Sequence, residues 1–153
     1  MNTAANNTPA ARHKARHFAV QGVYQWQLNQ TEPDEIYREF CDDNDMRYVD
    51  LEYFQLLLQR VTAEAPQLDA NFSDHLQGHG LDELDPVTLA VLRIANFELQ
   101  HRIDIPFKVV ISEAVGLAKK FGAADSHKFI NAVLDKVAVN CRKVEVDAEA
   151  RTR

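Results

Sequence analysis

The sequence predicts an all-α fold, and three observations carry that expectation. Period-two alternation is scarce, whereas apolar residues recur at helical spacing along most of the chain. Helix-start signals recur, with proline at or near a first helical position in Thr8-Pro9, Asp85-Pro86 and Asp104-Ile-Pro106. A stop signal at Gly122 is followed within four residues by two candidate caps, Asp125 and Ser126.

Taken in order, the first helix follows Thr8-Pro9 and lines Ala15, Phe18, Ala19, Gly22, Val23 and Trp26 along one face. Arg12, Lys14 and Arg16 fall mainly on its other faces, with His13 and His17 among them. After a loop with Pro33, residues 34–42 read as a short acidic helix carrying Ile36, Tyr37 and Phe40. Residues 47–64 read as a third, with Leu51, Phe54, Leu57, Leu58 and Val61 inward. Pro66 opens a weaker helix through Leu68, Phe72 and Leu76, ended by Gly78 and Gly80. The helix from Pro86 to Arg102 is apolar around its whole axis and reads as the buried centre, so Arg93 within it needs a partner or a route to solvent. Asp104-Ile-Pro106 starts a sixth helix, with Phe107, Val110, Ile111, Ala114, Leu117, Ala118 and Phe121 inward. A seventh runs from about Ser126 to about Arg142 with a core stripe of Ile130, Val133, Leu134 and Val137. The expectation is seven helices in one domain over 1–153, with 1–8 and 144–153 as flexible ends.

A chain of 153 residues can bury about 68–70% of its unfolded surface and needs no covalent staple. Two cysteines, Cys41 and Cys141, argue against a disulfide framework or a cysteine-based zinc site and fit a reducing cytosol. The N-terminus lacks an apolar signal core, and no run approaches the roughly 18 apolar residues of a membrane span. A soluble, cytoplasmic protein is expected. The net charge of −6 hides an uneven distribution: +3 over residues 1–31, −12 over 32–85 and +3 over 86–153. Basic ends flank an acidic middle that would repel RNA and could meet a basic protein partner.

No catalytic apparatus stands out. There is no phosphate-cradling glycine loop, no Gly-x-Ser-x-Gly and no His-Glu-x-x-His. His13/His17 and His75/His79 have the i, i+4 spacing of a chelating pair, but a site needs further ligands, no Cys lies near either pair, and solvated histidines are the simpler reading. No cofactor or metal is expected. The remaining candidates are surfaces. Arg12 and Arg16 lie one turn apart, about 6 Å, close to the phosphate spacing of a nucleic acid strand. Phe121 to Lys136 sets a helix stop, a capped helix start, Lys128 and Phe129 on one rim. Charge for phosphate, a flat face for a base and free helix N–H groups suit a single-stranded nucleic acid. The simpler alternative is a capped helix whose Phe tops the core. Asp82-Glu83-Leu84-Asp85 is a third surface, or only dipole compensation ahead of the central helix.

Together these segments resemble the bacterial transcription antitermination factor NusB family over nearly the whole chain. The resemblance rests on Ala19-Val-Gln21 with Tyr24-Gln-Trp-Gln-Leu28, Asp50-Leu-Glu-Tyr-Phe54, and Val91-Leu-Arg-Ile-Ala95 with Phe97-Glu-Leu99. Ile105-Pro-Phe-Lys-Val109 and Ile111-Ser-Glu-Ala114 then lead into the Phe121 to Lys136 block. A related domain fronts some RNA methyltransferases, but no Rossmann-type half follows here and no methyl transfer is expected. The family implies a seven-helix fold of two helical subdomains and no catalysis. It implies binding of single-stranded boxA RNA jointly with the small-subunit ribosomal protein NusE. That pair helps assemble an antitermination complex on RNA polymerase with other antitermination factors, notably in ribosomal RNA transcription. By that resemblance Arg12, Lys14 and Arg16 contact RNA phosphates, Lys128 adds charge, and Phe129 stacks on or packs against a base. Asp125 and Ser126 border the RNA, while Tyr24, Asp82 and Glu83 face the ribosomal-protein partner. His13 stands where the family pattern has another basic residue. The alternative function is a helical protein-interaction module without specific RNA binding.

Overall fold

The computed structural model describes residues 6–152. Residues 1–5 of the expected flexible start, and Arg153, lie outside the described residues. Eight α-helices and no strand occur among the described residues, in two units: residues up to Glu64, and Ala65 onward.

The first unit holds α1 (Pro9–Asn29), α2 (Pro33–Asp43) and α3 (Leu51–Ala63). Thr8 caps α1, its hydroxyl accepting from the Ala11 N–H at 3.1 Å, as the Thr-Pro signal predicts. Asp50 caps α3 through the Tyr53 N–H at 3.0 Å, so this helix starts four residues later than its periodicity suggests. The core gathers Ala15, Ala19 and Val23 of α1, Ile36 of α2, and Phe54, Leu57, Leu58 and Val61 of α3. Phe18, Tyr37 and Phe40 ring Phe54 with centroids 5.5–6.1 Å away. Gly22 lets α1 approach closely: a Cβ there would stand 2.5 Å from Leu58 Cδ2 and 3.2 Å from Ile36 Cγ2.

The second unit holds α4 (Ala65–Phe72), α5 (Pro86–His101), α6 (Phe107–Phe121), α7 (Ser126–Cys141) and α8 (Lys143–Arg151). Short 3₁₀ turns at Ser73–His75 and Leu81–Glu83 link α4 to α5. Asp85 caps α5 twice over, accepting from the Thr88 N–H at 2.9 Å and the Thr88 hydroxyl at 2.8 Å. Ten residues of α5 are buried, and α4, α6 and α7 pack around it, so it is the central helix that its all-round apolarity predicts. Arg93 has the partner it needs: Asp69 of α4 accepts from its Nε and Nη2 at 2.9 and 2.8 Å.

The eighth helix corrects the expectation of seven. Residues 144–153 read as a flexible tail because their composition is polar, yet α8 takes up nearly all of them. Glu145 carries the tie. Its carboxylate accepts from the Phe107 N–H at 2.7 Å at the start of α6, while Asp104 pairs with Arg102. Lys108 of α6 also pairs with Glu149 of α8.

Candidate nucleic-acid interface

In the first unit α1 presents its cations unequally. Lys14 is exposed, with Nζ 5.5 Å from the centroid of the Tyr48 ring. Arg12 is half-buried, its guanidinium 4.9 Å from the Tyr53 centroid and its Nε 3.9 Å from Asp50. That buried Nε hydrogen-bonds to nothing. Arg16, expected on an outer face, is only 4% exposed and lies 5.6 Å from the same Tyr53 ring. The reason is that α2 and α3 both pack on α1, so it buries Arg16 and Val20 beside the expected stripe. Arg16 as placed holds the Tyr53 side of α1 rather than meeting solvent.

In the second unit the α6–α7 corner differs in detail from its sequence signals. Gly122 keeps an ordinary φ of −90°, and the left-handed residue is Asp125, at φ 68°. Glycine is needed at 122 for space: a Cβ would meet the Ala118 carbonyl oxygen at 2.7 Å and Ser126 Oγ at 2.5 Å. Neither candidate cap caps α7. The left-handed turn leaves the Asp125 side chain without a cap hydrogen bond and sets it 3.4 Å from Lys128 Nζ, while Ser126 Oγ is buried with no partner. Lys128 is exposed. Phe129 is half-buried, with its ring edge-on to His79 at a centroid distance of 6.2 Å. The loop before α5 therefore meets the start of α7.

The residues expected to face a protein partner all reach solvent. Tyr24 on α1 is 37% exposed. Asp82 and Glu83 are exposed in the second unit. Glu83 accepts from the Gly80 N–H at 2.7 Å and stands 3.7 Å from His79 Nδ1. The Gly80 hydrogen bond foremost, with His79 assisting, holds its pKa below the usual glutamate range. A lowered pKa means the bond persists above the unfolded value and is lost as pH falls through the folded one. In an acid titration by NMR, the Gly80 amide should move at a midpoint below that of an ordinary glutamate; movement at the ordinary value would mean that the bond does not hold the loop.

No group of three or more His, Cys, Asp or Glu that could hold a metal ion occurs among the described residues, at the two histidine pairs or elsewhere. His75 meets Asn140 at 3.3 Å. Burial pushes the Cys141 thiol up, the reverse of a reactive cysteine. No helix among the described residues is long and apolar enough to cross a membrane. Sequence reading missed Arg47, Tyr48 and Tyr53 as neighbours of the α1 cations. The signal lay in Asp50: taken as a helix cap, it puts 44–50 in a loop and exposes Arg47-Tyr48.

The fold and surfaces define an all-α protein of two helical units, with cations set beside aromatic rings in each. The chain belongs to the NusB family, whose pattern it matches over residues 13–139. It is 57% identical over 141 residues to the transcription antitermination protein NusB of Teredinibacter turnerae, covering 92% of this chain and 96% of that protein. It is 58% identical over 139 residues to the protein of that name from Saccharophagus degradans, covering 91% and 93%. Among solved structures it resembles T. maritima NusB, with a TM-score of 0.77 and 28% identity over 92% of this chain and 98% of that one. It also resembles a chain in a crystal structure described as a plectonemic RNA supercoil, with a TM-score of 0.72 and 26% identity over 82% and 91%.

Proposed function

We propose that this protein is a non-catalytic, RNA-binding transcription antitermination factor of the cytoplasm. It binds boxA RNA together with NusE and helps assemble an antitermination complex on RNA polymerase, notably during ribosomal RNA transcription. The observation that carries the reading is an exposed Lys128 beside a half-exposed Phe129 at the start of α7, in a chain of the NusB family. Lys14 and the half-buried Arg12 on α1 add cations for phosphate. Three cations give a counterion-release slope of only about −2 on a single strand, at roughly 0.7 per phosphate. Binding alone is therefore weak and salt-sensitive, and a basic partner docked on Tyr24 or on Asp82 and Glu83 raises affinity and extends the footprint.

The test is titration of a boxA RNA and a scrambled control, with and without NusE, at two salt concentrations. Selective binding that NusE strengthens supports the reading. Equal binding to both RNAs, unchanged by NusE, would favour a helical protein-interaction module.

Asp125→Asn should raise RNA affinity up to about fivefold at moderate salt. It removes a negative charge at the RNA rim and releases Lys128 from its 3.4 Å pair. Asparagine also tolerates the left-handed backbone at 125. Lower affinity with an unchanged melting temperature would mean that the carboxylate orders the corner instead.

A further inference from the structure

The loop between α2 and α3 builds an exposed aromatic platform that the α1 reading leaves unassigned. Its backbone is fastened at the end near α1: the Asp50 N–H donates to the Ala11 carbonyl at 3.1 Å, and the Val49 N–H to the Met46 carbonyl at 3.2 Å. Val49 turns inward and is fully buried, so its neighbour Tyr48 turns outward and is 66% exposed. Two cations flank that ring, Lys14 Nζ at 5.5 Å and Arg47 Cζ at 5.7 Å from its centroid. Arg47 is oriented by Asp45, whose carboxylate accepts from its Nε and Nη2 at 2.7–3.1 Å. Those hydrogen bonds hold the Asp45 pKa down at about 2, so the clamp is charged at any physiological pH.

We infer that Tyr48 is a stacking platform for one unpaired base of single-stranded RNA, with Lys14 and Arg47 serving the phosphates on either side of that base. The inference rests on the RNA-binding reading above and extends it from the α1 cations to the loop between α2 and α3. An exposed ring with cations at its rim is the arrangement that strand-tracking surfaces use: the ring takes any base face, and the cations take the backbone. Lys14 is long and exposed, so it can leave the ring for a phosphate as a base arrives. Arg47 stays beside the ring because Asp45 fixes it, and one carboxylate against two cations leaves the platform net positive.

The test is boxA RNA binding by the full chain carrying Tyr48→Ala, Tyr48→Phe or Arg47→Ala, with and without NusE, each checked by thermal melting. Tyr48→Ala should weaken binding roughly 5- to 100-fold, while Tyr48→Phe should bind like the parent. Arg47→Ala should lower the salt slope by about 0.7. If the parent binds RNA and Tyr48→Ala binds equally well, the platform is wrong while the RNA reading stands. If Tyr48→Ala and Tyr48→Phe weaken binding alike, the hydroxyl matters and stacking is overturned. If Tyr48→Ala weakens only NusE binding, the ring serves a protein. A parent that binds no RNA overturns both readings.

Discussion

Replacing Arg142 with methionine is expected to cost about 3–5 kcal/mol of stability, the largest effect of any single substitution considered. Its side chain is 3% exposed, and every one of its five N–H donors has an acceptor. Nε donates to the Leu99 carbonyl at 2.8 Å. Nη1 donates to the Ile105 carbonyl at 2.9 Å and to Glu145 at 2.7 Å. Nη2 donates to the carbonyls of Glu98 at 3.1 Å and Arg102 at 2.9 Å. The carbonyl acceptors cluster at the end of α5 and in the turn after it, where the helix dipole favours a cation; those of Glu98 and Arg102 also accept the Arg102 and Ile105 N–H groups, at 3.0 and 2.9 Å. Methionine fills similar volume but takes the donor from the Leu99 and Ile105 carbonyls, at about 1–3 kcal/mol for each buried loss before water or backbone shifts relieve it, while the carbonyls of Glu98 and Arg102 and the Glu145 carboxylate keep a backbone N–H partner. Lysine keeps the charge, yet a single ammonium cannot address five acceptors in a planar fan, so Arg142→Lys should recover less than half. Urea unfolding measures both. A loss under about 1 kcal/mol for methionine would mean that water satisfies the α5 end without the guanidinium.

Arg142 also marks where sequence reading stops. The local grammar was legible where a signal and its effect lie within one turn. Thr8 and Asp85 cap the helices that follow them, and the apolar wrap of α5 identifies the centre of the second unit. Four of the five acceptors of Arg142, all backbone carbonyls, lie 37 to 44 residues upstream, and nothing near position 142 announces them. The same holds for α8, which looks polar and loose until Glu145 is seen to accept from the Phe107 N–H at the start of α6, 38 residues away. In the candidate site, Lys14, Lys128 and Phe129 were legible because periodicity alone separates them from the core stripes. Arg16 was not, because periodicity locates the centre of a buried face but not its width, which two packed neighbours set. At the α6–α7 corner the sequence places a stop and a turn correctly, but glycine's freedom points to Gly122 for the left-handed conformation that Asp125 takes instead. Crowding against the Ala118 carbonyl explains why Gly122 must be small without needing a positive φ.

Reversing both exposed cations, Lys14→Glu with Lys128→Glu, should all but abolish RNA binding by the isolated protein while leaving the fold intact. Both side chains are exposed, and neither belongs to a buried stripe, so the melting temperature should move little. Lys128→Glu does place a second acid beside Asp125, and that repulsion acts against an incoming phosphate rather than against the core. Removing two phosphate contacts should lower the salt slope by about 1.4, and the two new negative charges add repulsion that salt screens. Affinity should therefore fall most at low salt, by about 100-fold or more, and the gap to the parent should narrow as salt rises. Each single reversal should give part of the loss, because the two residues sit on helices of different units and share no partner. Binding to NusE alone should persist, since Tyr24, Asp82 and Glu83 are untouched. Loss of RNA affinity with an unchanged salt slope would mean that the variant disturbs the surface without removing phosphate contacts. Unchanged affinity would move the RNA path off both helices.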